Sequence, residues 1–93
     1  MTATLPAPLD TLPAPQRHIA AAVFEAVFAR ATAPRADGER LRDFVTACNA
    51  AGWRAATSAG NSDAGQGAGF HHHVVRAAIA LGAEAARLQR GTP

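Results

Sequence analysis

The chain has 93 residues, nine arginines against seven carboxylates for a formal net charge of +2, and a mean hydropathy close to zero. That length holds one domain with a near-marginal core. No window reaches the roughly 18 apolar residues of a membrane span, and the single cysteine, Cys48, rules out an intramolecular disulfide and a C-x-x-C zinc site. Every basic side chain is arginine, which reads first as the codon bias of a high-GC genome. The sequence pI of about 10.0 reflects the absence of lysine and tyrosine and is not by itself a nucleic-acid footprint. With no positive n-region or apolar stretch over Met1 to Leu12, a reducing, cytoplasmic location of bacterial type is expected, with no membrane association.

Residues 1–15 carry Pro6, Pro8, Pro13 and Pro15 among Leu5, Leu9 and Leu12. Proline fixes φ and removes donors, so an extended or disordered arm is expected, a mobile tail in the first instance and otherwise an arm whose three leucines dock on a neighbouring subunit or partner. Residues 16–93 then form a single helical domain. The first helix should run from about Pro15 to about Thr32, with Ile19, Ala20, Val23, Phe24, Val27 and Phe28 on one broad arc and Pro34 as its stop. The second should start after Asp37 as N-cap, carry Leu41, Phe44, Val45, Cys48 and Ala51 on its apolar arc, and end at Gly52. Cys48 reads as a buried small hydrophobe. Trp53 to Thr57 is open between a short helix and an extended piece, and Ser58 to Gly69 reads as a glycine-rich loop. The third helix should span about Phe70 to about Arg90. The fold class is therefore all-α: three helices, a Pro-rich arm, and a Gly-rich loop before the last helix.

On the third helix, His71, Val74, Ala78, Leu81, Ala85 and Leu88 repeat at three- and four-residue spacing, the pattern of a helix–helix seam. Gly82 beside them costs about 1 kcal/mol relative to alanine, which close approach of a neighbouring helix would offset. These seven residues are the expected interface, and a lean, alanine-rich core supports a homo-oligomer or a complex with a protein partner.

Chemistry-bearing groups are few. His71, His72 and His73 point 100° apart on a helix and lack the i, i+4 spacing of a helical chelate. A metal would need further ligands from His18, Cys48, Asp63 or a second subunit, so no metal and no cofactor is expected. Gly65 to Gly69 precedes a helix as an anion-binding glycine loop does, but lacks the lysine and hydroxyl of a P-loop. Should an anion or nucleic acid bind, the contacts would be Arg54, Gly67, Gly69, His72, His73 and Arg76, in an arrangement like a helix-turn-helix. Ser58 and Ser62 lack a nucleophile elbow, and Glu25, Asp37, Glu39, Asp43 and Glu84 read as caps or surface charges, so no catalytic residue is assigned. The leading expectation is a non-enzymatic assembly or adaptor module that self-associates through its last helix and binds a protein partner; nucleic-acid binding comes second, and a histidine-linked metal or anion function third.

Overall fold

The computed structural model describes residues 5–7, 9–34, 38–59 and 68–90, and among these every regular element is helical. A single 3-10 turn, Leu9–Thr11, precedes α1 (Ala14–Thr32), α2 (Leu41–Ser58) and α3 (Ala68–Arg90).

Proline punctuates α1 at both ends. Pro13 is its N-cap, and Pro15 sits in the first turn, where its missing N–H costs nothing. Pro34 forces the preceding residue out of helical space, and Ala33 accordingly adopts φ −69°, ψ 150° while its N–H still closes the last turn onto the Ala29 carbonyl. Gly38, at φ +80°, makes the left-handed step that a β-carbon would disfavour. Beyond it, Glu39 accepts from Arg30 at 2.9 Å, and the Arg30 guanidinium lies 5.4 Å from the Phe44 ring centroid. One arginine thus joins the end of α1 to the start of α2. Asp37, expected as the N-cap, lies outside the described residues; the helix opens at Arg40, which is extended and makes no side-chain cap.

α1 is the central element and packs against both other helices, whereas α2 and α3 meet over a smaller stretch. Its residues Val23, Phe24 and Val27 are sealed from water together with Val75 of α3. Each such side chain contributes about 1.5–3 kcal/mol on burial. Phe28 stacks on Phe24 with ring centroids 6.2 Å apart.

Two expectations change here. Gly52 does not end α2; the helix continues without a break through Trp53 to Thr57 and closes at Ser58. Gly52 is retained because α1, α2 and α3 converge on it: a β-carbon there would lie 2.6 Å from Cγ1 of Ile79 and 3.0 Å from Cγ2 of Val27. The described part of the N-terminal arm, residues 5–7 and 9–13, is also not fully extended. Leu9 N–H and Asp10 N–H both donate to the Pro6 carbonyl, and the resulting turn drops Leu9 into the core at 2% exposure, with Leu5 and Leu12 packed partly buried beside it. All three leucines thus pack on the core of their own chain.

Candidate functional site

The apolar arc of α2 is wider than α1 can cover. Phe44, Cys48, Gly52 and Ala56 face the core, whereas Leu41 and Val45, on the edge of that arc, remain 66% and 48% exposed. α3 has a comparable edge in Ala80 and Ala83, which are exposed. Because α2 and α3 meet over only a short stretch, these edges become the walls of a groove, floored by Phe44, Cys48 and Ile79, with Ala31 of α1 also in its lining.

The lower part of this groove encloses about 280 Å³ and is bordered by Glu84 and Arg87 of α3. Arg87 Nε donates to Glu84 Oε2 at 3.0 Å, a second guanidinium hydrogen bond to Oε1 completes the pair, and this donor pair holds the Glu84 carboxyl below the usual carboxylate range. Both side chains are exposed, so the pair is a screened surface contact and not a reactive carboxylate.

The upper part encloses about 500 Å³ and is polar at its rim. Asn49 and Trp53, one turn apart on α2, face His72 and Arg76, one turn apart on α3. The Trp53 and His72 rings lie 4.8 Å apart between centroids, tilted by 40°. Neither ion pair among the described residues involves Arg76.

The expected interface residues divide. Val74, Ala78 and Gly82 are buried in the chain's own core, Gly82 so tightly that a β-carbon would stand 3.0 Å from the Phe24 carbonyl oxygen. Leu81 and Ala85 are partly buried against that core, and Leu88 is 57% exposed. The His71 side chain lies outside the described residues. The small-residue seam therefore serves α1 of the same chain, and only its Leu81, Ala85 and Leu88 edge reaches the surface.

Of the expected anion contacts, His72 and Arg76 come together in the upper groove. Arg54 lies with Thr57 and Ser58 on another side of Trp53, and His73 is exposed outside the groove lining. Gly67 lies outside the described residues, and Gly69 falls within α3. α2 ends at Ser58 and α3 opens at Ala68, a connection longer than the roughly three- to four-residue turn of a helix-turn-helix. Among the described residues no group of three or more His, Cys, Asp or Glu side chains could hold a metal, and no helix is long and apolar enough to cross a membrane. Trp53 and Asn49 were missed as site residues; the i, i+4 series Leu41, Val45, Asn49, Trp53 along α2 is the signal that marks them.

Comparison with models of known families, with curated proteins and with solved structures gave no match.

Proposed function

We propose that this chain is a non-enzymatic adaptor module that binds a protein partner by receiving an acidic, amphipathic helix in the groove between α2 and α3. One observation carries the reading: Leu41 and Val45 stay in water beside an apolar floor, in a domain whose core is otherwise lean. A helix laid between α2 and α3 would bury both leucine and valine and complete a four-helix bundle, the ordinary way in which such a face is satisfied. From Leu41 to Trp53 the groove wall runs about 18 Å, the length of a helix of roughly 12 residues.

Charge selects the occupant. Arg76 borders the groove, Arg42 lies one residue beyond Leu41 on the exposed side of α2, and neither is in an ion pair with a described carboxylate. A second copy paired face to face would bring the same arginines opposite one another, an unfavourable arrangement. A foreign helix carrying Glu on either side of a Leu stripe is complementary.

The test uses two synthetic peptides of roughly 14 residues, both with Leu at i, i+3, i+4 and i+7, one with Glu and one with Lys at the flanking positions. Binding is read from the fluorescence of Trp53, the sole tryptophan of the chain. The Glu peptide is expected to bind at least tenfold tighter than the Lys peptide, and Val45→Glu to weaken it by a similar factor. Equal binding of both peptides, binding of neither, or a homodimer by light scattering that excludes the Glu peptide would overturn the proposal.

A further inference from the structure

Beyond the docking of a helix, we infer that the upper end of the groove is a binding pocket for a carboxylate borne on a flat apolar group. Four side chains supply the chemistry. Arg76 offers a planar guanidinium whose paired N–H groups match the two oxygens of a carboxylate, and no described carboxylate lines this part of the groove to compete for it. Asn49, on the opposite wall, carries an amide able to donate to the same group. Trp53 and His72 present two rings tilted toward each other at 4.8 Å, a surface for the edge or face of a third ring. Ile79 and Ala80 form the apolar side.

The volume, about 500 Å³, falls in the range of roughly 300–1,000 Å³ typical of small-ligand sites, and the mixture of apolar walls with a few converging polar groups is the usual make-up of one. The two halves of the groove differ in this respect. In the lower half the arginine, Arg87, is already occupied by Glu84. In the upper half the corresponding cation, Arg76, has no ion-pair partner among the described residues. His72 and Arg76 are brought to one side by helical i, i+4 spacing, and Asn49 and Trp53 by the same spacing on α2, so rigid elements and not loops place all four groups.

Two sources share this chemistry: a free aromatic acid, and the terminal carboxylate of a peptide ending in an aromatic residue. Four probes separate them, with Trp53 fluorescence excited on the red edge as the signal: phenylacetate, phenylacetamide, N-acetyl-Ala-Phe with a free carboxylate, and the same dipeptide amidated. Binding is expected from one or both acids, at about millimolar affinity or tighter, with each amide at least tenfold weaker. Binding of phenylacetate would point to a free acid, and binding of the dipeptide acid alone to a peptide terminus; either supports the pocket. Arg76→Gln should cost at least tenfold in affinity while leaving the thermal unfolding midpoint unchanged, because Arg76 is exposed. Val45→Glu, which lies in the lower half, should leave acid binding intact, so loss of the helix-docking reading would not take this one with it. Amides that bind as well as the acids, undiminished binding to Arg76→Gln, or no response to either acid would overturn the inference.

Discussion

Gly52→Ala reports directly on the convergence of the three helices. In an exposed helix interior this substitution stabilises by roughly 1 kcal/mol, since alanine is the better helix former. Here the new methyl would fall 2.6 Å from Cγ1 and 2.9 Å from Cδ1 of Ile79, and 3.0 Å from Cγ2 of Val27, all closer than van der Waals contact permits. Val27 is sealed from water and cannot move aside, and Ile79 has open space only on its groove side, so the clash is relieved in part at most. Overpacking of this kind costs about 1–3 kcal/mol. The two effects together leave the variant about 0–2 kcal/mol less stable. Urea unfolding followed by circular dichroism measures this, and a double-mutant cycle with Ile79→Ala isolates the contact. Ile79→Ala alone should cost about 2–5 kcal/mol through the cavity it leaves. Combined with Gly52→Ala, the added methyl occupies part of that cavity, so the pair should be less damaging than the sum by about 0.5 kcal/mol or more. A Gly52→Ala variant stabilised by about 1 kcal/mol, with a cycle that closes without coupling, would refute the packing described.

The docking of the arm is tested by Leu9→Ala, expected to lose about 2–4 kcal/mol in urea unfolding because Leu9 is 2% exposed; an unchanged midpoint would mean that the arm does not pack on its own chain. For Glu84, the hydrogen bonds from Arg87 lower the folded-state value relative to the unfolded one, so the small stabilisation they provide is present above the ordinary glutamate range and lost as pH falls through the depressed value. An NMR titration should show Glu84 returning to the ordinary glutamate value in Arg87→Gln; an identical titration in both proteins would show that the pair does not form in solution.

Much of the helical architecture is legible in the chain. Pro15 and Pro34 bracket α1 because proline acts locally, and the Ile19, Val23, Phe24, Val27 arc points to the core because one face of α1 meets both neighbours. Gly52 misleads for the opposite reason. A glycine followed by a change in pattern signals a helix end in isolation, and its real cause, the approach of Ile79 from α3, is tertiary. The spacing of Val74, Ala78 and Leu81 marks a packing face but does not say what fills it; Val74 and Ala78 are buried in the chain's own core. The pocket is least legible. His72 and Arg76 are visible as a helical pair, yet Trp53 reaches them only because α2 continues past Gly52 and runs beside α3. The exposure of Leu41 and Val45 likewise depends on how little α2 and α3 contact each other, which their individual patterns do not encode.

The claim that the α2–α3 groove is the binding face is tested most directly by a map of backbone amide shifts on adding the acidic Leu–Glu peptide to the labelled protein. The account predicts that the shifted amides cluster on α2 from Leu41 to Trp53 and on α3 at His72, Arg76, Ala80, Ala83 and Arg87. Shifts gathered instead around Leu81, Ala85 and Leu88, or absent altogether, would contradict it.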